Sequence, residues 1–359
     1  MMSLATAFII LLAFAISLAA IPVVRRLALH MDFVDAPGER KRHKMPVPPI
    51  GGLVIFGVFC AATPLIYPLD QASGALLAAL GVIVVTGVFD DYRGVPASLK
   101  FLIHFLAAGI VVFGGDVVIH DLGNLLGVGS IEFGQFAPLF TLCCIVYLIN
   151  ALNMLDGLDG LAGGKSMIIL IWYMIAAAAS GAEDILALMG LLAAVLLAFL
   201  VYNMRHPLRR RACVFLGDAG SMGLGVILAW LAVVLSQGKT VVLAPVSVAW
   251  ILALPIIDAF ALFALRLSQG RHPFDPDRRH MHHHVLDAGF TVAQATSIIL
   301  CIGATLGAIG YLGLKGGVPA PVLGWGWIVL WLGHAVLVRY PAPFIRWLRA
   351  LREMFGAAD

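Results

Sequence analysis

The chain has 359 residues, of which 61% are hydrophobic and 12% are charged, and its formal net charge at pH 7 is +3. This length would ordinarily fit two soluble domains, but apolar runs of about twenty residues, each long enough to cross a bilayer, recur along the whole chain. The composition therefore excludes a pair of ordinary soluble domains and predicts one polytopic integral membrane domain.

The apolar runs predict about eleven transmembrane helices. Each run is continuous apolar sequence, unlike the weak alternation of a membrane barrel, so an all-α fold is expected. The predicted spans cover residues 3–24, 50–68, 73–89, 99–115, 136–152, 161–180, 184–203, 218–236, 241–266, 293–314 and 322–338.

The basic residues predict the orientation of these spans. Of the 23 lysines and arginines, all except Lys239 and Lys315 fall after odd-numbered spans and therefore on one side of the membrane. By the positive-inside rule this side is cytoplasmic, which places the N-terminus outside and the C-terminus inside. Because the basic residues are accounted for as topology signals, the net charge gives no indication of nucleic-acid binding.

Two segments outside the spans have patterns of their own. Residues 116–135 form a long outer loop, and apolar residues on both sides of a Leu-Gly-Asn turn predict a small external hairpin. Residues 340–356 place Phe344, Leu348 and Leu351 at helical spacing with arginines between them. This pattern is typical of an amphipathic helix that lies on the inner leaflet.

Acidic residues concentrate at the predicted inner edge of the membrane. Asp90 and Asp91 end the third span, Asp156 and Asp159 lie between the fifth and sixth spans, and Asp218 begins the eighth span. A helix C-terminus and mutual repulsion both disfavour adjacent carboxylates, so the Asp-Asp pair needs a positive neighbour unless it is simply solvated. A basic side chain or a divalent cation would serve, and an oxygen-only set favours Mg²⁺ over zinc.

Two glycine-containing segments surround these carboxylates. In NALNMLDGLDGLAGGK, residues 150–165, we expect a helix break near Gly157, with Asp159 capping the next helix. In FLGDAGSMGLG, residues 215–225, Asp218 stands at a helix N-terminus, where exposed N–H groups favour an anion. The glycines either let backbone approach a ligand or permit close helix packing.

Histidines cluster in the predicted inner loop after the ninth span, at His280, His282, His283 and His284. They predict a metal site or, beside Arg278 and Arg279, a phosphate site, with a solvated loop as the alternative. Inside the spans, His104 and His334 are expected to bond to neighbouring helices. Asp258 needs a partner at its depth and would mark a cavity.

These segments together resemble the polyprenyl-phosphate N-acetylhexosamine-1-phosphate transferase family, which includes MraY-type and WecA-type enzymes. The match runs in chain order through RKRHKMPVPPIGG, the Asp-Asp pair, NxxNxxDGxDGLAGG, FLGDAGS and DPDRxHxHH. The last motif is similar to the branch that acts on UDP-GlcNAc, more than to the UDP-MurNAc-pentapeptide branch of peptidoglycan synthesis.

The resemblance implies transfer of an N-acetylhexosamine 1-phosphate, in first place GlcNAc 1-phosphate, from a UDP-sugar to undecaprenyl phosphate with release of UMP. It implies Mg²⁺, with Mn²⁺ as a substitute, and an active site on the cytoplasmic face of a bacterial inner membrane. The product would initiate a cell-surface polysaccharide such as O-antigen lipopolysaccharide or a teichoic-acid linkage. The expected partners are the UDP-sugar, undecaprenyl phosphate and membrane lipids, with no nucleic acid, and a homodimer is compatible with them.

The resemblance also implies catalytic roles. Asp218 is the expected main Mg²⁺ ligand, with Asp91 or Asp156 beside it, and Asp90 would orient or deprotonate the lipid phosphate. Direct in-line attack is preferred to a covalent phospho-aspartyl intermediate.

Further residues are expected to bind substrate: Lys100, Asn153, Asp159, Phe215, Arg266, His280, His282 and His283. Lys100 and Asn153 would hold phosphates, while Phe215 would stack on uracil and Asp159 would meet its polar edge. The histidines would contact phosphate or sugar, and Arg266 would lie on the sugar side.

Two other functional classes are compatible with parts of the sequence. A transporter usually binds its substrate near the bilayer midplane between inverted repeats, whereas these carboxylates lie at one edge and only Asp258 is deep. An intramembrane zinc hydrolase would use the histidines as metal ligands.

Overall fold

The structure is a computed structural model that describes residues 3–35, 46–238, 241–271 and 279–354. Within these ranges the chain is helical, and β-structure is limited to isolated bridges, so the all-α prediction is confirmed. The predictions for the basic residues at 40–44, for Lys239, for the Asp-Pro-Asp-Arg segment at 275–278 and for residues 355–356 fall outside the described residues.

Contacts divide the chain into two compact units, a division that does not test the prediction of one functional domain. The first unit runs to Asp121 and resumes over Glu132–Ala244. Its helices are α1 (Leu4–His30), α2 (Gly51–Ile66), α3 (Gln71–Arg93), α4 (Ala97–Gly109), α5 (Ala137–Leu155), α6 (Leu161–Ser180), α7 (Glu183–Asn203) and α8 (Gly217–Gln237). A π-helical turn, Ile110–Gly114, extends α4.

Helix α8 is the centre of the first unit, since it packs against α2, α3, α5 and α6. Two glycines bring the neighbouring helices against its first turns. A Cβ on Gly87 of α3 would overlap the backbone of Ala219, and one on Gly52 of α2 would lie 2.6 Å from the Ala219 carbonyl carbon. Close helix packing at Gly52 and Gly87, two glycines for which the sequence analysis predicted no role, therefore positions the N-terminus of α8.

The second unit comprises Leu122–Ile131 and Pro245–Asp359. Its helices are α9 (Pro245–Ile251), α10 (Ala253–Ser268), α11 (Met281–Asp287), α12 (Val292–Lys315), α13 (Ala320–Arg339) and α14 (Pro341–Met354). Helix α12 packs on α9, and α10 packs on α13. The start of α12 is stabilised by a capping box between Thr291 and Gln294.

The predicted ninth span, residues 241–266, is not one continuous helix. Helices α9 and α10 are bent by 74° at the break between them. Pro255 has no N–H to donate to the carbonyl of Ile251, so the hydrogen-bond ladder is interrupted there. The other ten predicted spans each coincide with a helix.

By length and composition, nine helices of the described chain suffice to cross a membrane, or ten if the bent pair is one span. Helix α2, with 16 residues, is a shorter apolar helix. These findings agree with a polytopic membrane protein. The count of eleven spans and the outward N-terminus stay predictions.

The two patterned segments outside the spans are only partly as predicted. In 116–135 the hairpin takes the form of a single antiparallel bridge between Asp121 and Glu132, without strands. The amphipathic segment forms a helix over Pro341–Met354, with Leu348 buried and Arg346 and Arg349 exposed. Its position on the inner leaflet stays a prediction.

Candidate active site

Four helix ends of the first unit bring polar side chains to one place. Asp90 and Asp91 occupy the last turn of α3, and Lys100 lies in the first turn of α4. Asp156 caps the C-terminus of α5, and Asp218 lies in the first turn of α8. Sequence positions as far apart as 90 and 218 therefore contribute to one site, as predicted.

Lys100 is the positive neighbour that the Asp-Asp pair requires. Its Nζ lies 2.6 Å from Oδ2 of Asp90 and 3.3 Å from Oδ2 of Asp218, so one ammonium group joins α3 to α8. The backbone N–H of Val95 donates to Oδ1 of Asp90 at 2.7 Å. Each oxygen of the Asp90 carboxylate is therefore held by one donor, and the side chain is only 7% exposed.

Asp218 is oriented by a second donor. Nδ2 of Asn153, in the last turn of α5, donates to Oδ1 of Asp218 at 2.9 Å and to Oγ of Ser221 at 2.9 Å. The two oxygens of Asp218 thus contact an amide and an ammonium group. Asp218 retains 32% side-chain exposure, more than Asp90, so it is the more accessible of these two carboxylates.

Asp91 caps helix α8 from the neighbouring helix. Its Oδ1 accepts a hydrogen bond from the backbone N–H of Asp218 at 3.0 Å, and its Oδ2 accepts one from Ala219 at 3.4 Å. These N–H groups have no partner inside α8, and the helix dipole favours a carboxylate at this end. A Cβ on Gly217, where φ is +75°, would lie 2.5 Å from Oδ2 of Asp91, so only glycine fits. The sequence did not predict this capping role.

Asp156 faces the other carboxylates. Burial, together with the negative charges of Asp218, Asp91 and Asp159, raises the pKa of Asp156 to about 8. Its charged form is therefore disfavoured unless a positive group lies close by.

The donor set fits Mg²⁺ bound at an open site. Asp90, Asp91, Asp156 and Asp218 bring four carboxylates together, and Lys100 contacts two of them, Asp90 and Asp218. Among the described residues, no group of three or more His, Cys, Asp or Glu side chains is arranged to hold a metal ion. Mg²⁺ does not need one, because it usually binds one or two carboxylates together with water and substrate phosphates. The zinc-hydrolase alternative gains no support from the described residues.

Asp159 does not cap helix α6, so that prediction was wrong. The N-cap residue is Gly160, with φ +79° and no side-chain cap. The carboxylate of Asp159 instead accepts hydrogen bonds at its Oδ2 from Nε of Arg205 at 2.7 Å and from the N–H of Ala212 at 3.3 Å. The N–H of Gly160 donates to Oδ1 of Asn203 at 2.8 Å. The loop after α5 is thus bound to the segment that follows α7. The helix break near Gly157 is confirmed, since α5 ends at Leu155 and α6 begins at Leu161.

Phe215 lies in a backbone pairing between two motifs. Its N–H donates to the carbonyl of Pro48 at 2.9 Å, and its own carbonyl accepts from the N–H of Gly51 at 2.9 Å. The N–H of Gly52 donates to the carbonyl of Leu216 at 2.8 Å. The VPPIGG segment and the FLGD segment therefore fix each other, and Phe215 is partly exposed.

The histidines of the predicted inner loop lie close together in the second unit. His280, His282 and His284 are buried and His283 is partly exposed, so the solvated-loop alternative was wrong. Burial lowers the pKa of His282 well below its usual range, which keeps this ring neutral. Arg266 of α10, the predicted sugar contact, is buried with 2% exposure in the same unit.

His104, His334 and Asp258 bond to side chains of neighbouring helices, as predicted, although no particular partner was predicted. Nε2 of His104 lies 3.0 Å from Sδ of Met222, and its Nδ1 lies 3.1 Å from Nδ2 of Asn150. Asp258 and His334 bond to each other at 3.0 Å.

Three contributors to these sites were missed from the sequence: Ser221, Asn203 and Arg205. Ser221 lies one turn after Asp218, a spacing that places both on one helix face and would have identified it. Arg205 was assigned only to topology, because a basic residue at the inner edge carries no sign of a specific partner.

Comparison with known proteins places the chain among transferases. Residues 73–236 match the model of glycosyl transferase family 4, a range that begins in α3 and ends in α8. Similar curated proteins are the undecaprenyl-phosphate alpha-N-acetylglucosaminyl 1-phosphate transferases of Escherichia coli K12 and Haemophilus influenzae. The first is 32% identical over 80% of this chain and 78% of its own length. The second is 31% identical over 92% of this chain and 93% of its own length.

The E. coli protein and this chain are more than 30% identical over more than two thirds of the length of each. The match to the family model spans Asp90, Asp91, Lys100, Asp156 and Asp218, the residues that converge in the structure. The chain is therefore a membrane-embedded transferase and belongs to glycosyl transferase family 4.

Proposed function

We propose that this protein transfers GlcNAc 1-phosphate from UDP-GlcNAc to undecaprenyl phosphate, giving undecaprenyl-diphosphate-GlcNAc and UMP. The names of its relatives state a transfer of this kind. The observation that carries the proposal is the convergence of Asp90, Asp218 and Lys100, with Nζ of Lys100 within 3.3 Å of both carboxylates. Such a site suits a reaction between two phosphate groups.

The proposed reaction is a direct in-line displacement. An oxygen of the lipid phosphate attacks the phosphorus that carries the sugar, and the bond from this phosphorus to the UMP oxygen breaks. Both reactants are anions, so catalysis is mainly positioning and neutralisation of charge. Bound Mg²⁺ would neutralise negative charge on the diphosphate and on the leaving UMP. We propose Asp218 and Asp156 as its ligands, because Asp91 is engaged in capping α8.

Asp90 and Lys100 are proposed to act on the lipid phosphate. Asp90 is fixed by Val95 and Lys100, so it would orient the acceptor and take its remaining proton. A phosphate monoester has a second pKa of about 6, so little basicity is needed. Lys100 would contact phosphate oxygens as a point charge. Asn153, which bonds to Asp218, would hold the diphosphate beside it.

The remaining predicted contacts define the nucleotide and sugar sides. Phe215 would stack on uracil, and Asp159 would accept a hydrogen bond from the base while Arg205 keeps its carboxylate in place. His280, His282, His283 and Arg266 are proposed contacts for phosphate or sugar. The proposed location is the bacterial inner membrane with the site on the cytoplasmic face, where nucleotide sugars are made.

The test is turnover by the purified protein in detergent with undecaprenyl phosphate, Mg²⁺ and a panel of UDP-sugars. We expect UDP-GlcNAc to give equal amounts of lipid product and UMP, and no UMP without the lipid. Asp218→Asn should abolish UMP release, whereas Asp184→Asn, at an exposed aspartate in the first turn of α7, should retain it.

Three outcomes would contradict this proposal. Wild-type turnover by Asp218→Asn would remove that residue from the reaction. Counterflow of UDP-sugar into liposomes without acceptor lipid would favour a transporter. Exchange of radiolabelled UMP into UDP-GlcNAc without acceptor would replace the single displacement with a two-step route.

A further inference from the structure

A buried carboxylate of the second unit has no task in the proposed reaction. Asp258 lies in α10 and is 3% exposed. Its Oδ2 accepts from Nδ1 of His280 at 2.8 Å, and its Oδ1 accepts from Nε2 of His334 at 3.0 Å. The N–H of Met281 also donates to Oδ1, at 3.1 Å. Three donors from α13 and the start of α11 thus converge on one carboxylate.

We propose that Asp258 and His334 are positioning residues that fix the imidazole of His280 for contact with the phosphates of the nucleotide sugar. This inference rests on the proposed function, because it takes His280 as a substrate contact. His334 lies 54 positions after His280, in a helix that carries none of the sequence motifs described above. No pattern in the sequence therefore joins the two.

The hydrogen bonds determine which ring nitrogen of His280 can meet a ligand. A carboxylate accepts, so Nδ1 of His280 carries the hydrogen in the bond to Asp258. Nε2 is then the ring nitrogen that faces away from Asp258, and a phosphate oxygen, which only accepts, would be bound through a proton on Nε2. His334 occupies the other oxygen of Asp258, which prevents the carboxylate from rotating away.

The surroundings hold His280 in one orientation. His280 is the N-cap residue of α11, and the next N–H, that of Met281, bonds to Asp258 as well, so the ring and the backbone share one anchor. The ring of His282 is nearly parallel to that of His280, with centroids 5.4 Å apart and an interplanar angle of 8°. Burial keeps the ring of His282 neutral, so it places no positive charge beside His280.

The alternative is that this network only ties α10, α11 and α13 together. If the hydrogen bonds are purely structural, their loss would lower the stability of the protein. If Asp258 is a positioning residue, its loss would lower activity only through the misplacement of His280. A double-mutant cycle separates the two, because residues that act through one another are not additive. The matched control is Ser247→Ala, which removes a buried hydrogen bond of 2.9 Å to the carbonyl of Gly310 in the same unit without touching the histidines.

The experiment measures UMP release against UDP-GlcNAc concentration, together with thermal unfolding, for Asp258→Asn, His334→Gln, His280→Gln and the double variant Asp258→Asn/His280→Gln. Asparagine keeps the size of the side chain, but it removes the charge and presents an N–H₂ group to Nδ1. We expect kcat/KM to fall about 10- to 100-fold for Asp258→Asn, mainly through KM, with a smaller fall for His334→Gln. In the His280→Gln background, Asp258→Asn should cost no more than about twofold.

Equal losses in both backgrounds, or a loss no larger than that of Ser247→Ala, would assign the network to structure alone and overturn the inference. If Asp258→Asn does not unfold cooperatively, the cycle is made with His334→Gln and judged in the same way. Absence of product from the wild-type protein refutes the proposed function, whereas product from the wild type with unchanged kinetics in both variants refutes only the inference.

Discussion

Replacing Gly87 by alanine should separate two helices at the point where the carboxylates meet. Gly87 lies one turn before Asp90 on α3, against Ala219 of α8. A new Cβ would overlap the backbone of Ala219 and lie 2.9 Å from its Cβ. Carbon atoms in contact prefer about 3.5–4.0 Å, so α3 and α8 must move apart by roughly 1 Å.

The cost of this movement follows from the contacts that cross the interface. The hydrogen bond of 3.0 Å from the N–H of Asp218 to Asp91 would lengthen by a similar amount, which is enough to break it. Overpacking of this kind costs about 1–3 kcal/mol of stability, a moderate loss. A misplacement of about 1 Å among reacting groups costs about 100-fold in rate. A 100-fold loss corresponds to about 2.7 kcal/mol, similar to the loss of stability, but a protein with about 5–15 kcal/mol of stability stays folded. Gly87→Ala should therefore lower turnover about 100-fold without unfolding the protein.

The assay compares Gly87→Ala with Gly81→Ala on the same helix. A Cβ at Gly81 has nothing within 4 Å, so this control adds the same methyl group to α3 without a clash. UMP release and thermal unfolding are measured for both variants. If Gly87→Ala turns over within about twofold of Gly81→Ala, the contact between α3 and α8 does not position the site and this reasoning is refuted.

Three further predictions concern the same site. Lys100→Met should lower turnover at least about 100-fold, because Asp90 and Asp218 lose their shared ammonium group. Lys100→Arg should recover only part of the lost turnover. Wild-type turnover by Lys100→Met would contradict this prediction. Arg205→Gln should raise the KM for UDP-GlcNAc about tenfold with a smaller change in kcat, because the carboxylate of Asp159 loses its ion pair. An equal loss in kcat would instead place Arg205 in the chemical step. Chelation of divalent cations should stop UMP release. Added Mg²⁺ or Mn²⁺ should restore UMP release, whereas added Zn²⁺ should not. Turnover in excess chelator would refute a metal requirement.

Much of the site could be predicted because a membrane simplifies the problem. Successive spans run in opposite directions, so the ends of the third and fifth spans and the start of the eighth span are predicted to share one edge of the membrane. Asp90, Asp156 and Asp218 were therefore placed together without any knowledge of packing. The partner of each carboxylate could not be predicted, because that depends on how far helices approach one another.

Asp91 and Asp159 show where sequence reasoning reached its limit. Asp91 caps a helix 127 residues away, and Asp159 binds Arg205 instead of its own helix. Local capping rules consider only neighbours in sequence, whereas the donors to both carboxylates come from distant segments of the chain. The bend between α9 and α10 had a local sign in Pro255, but a single proline within an apolar run does not decide between a kink and a straight helix.

The backbone pairing of Pro48 and Gly51 with Phe215 has a consequence for biogenesis. A ribosome needs about 10–30 s to add the roughly 165 residues that separate these partners, at about 5–20 residues per second. During this interval the first N–H groups of α2 lack the carbonyls that they meet in the finished protein. Nascent chains arrested before Phe215 should therefore remain sensitive to protease at the start of α2, and protection should appear only when α8 has entered the bilayer.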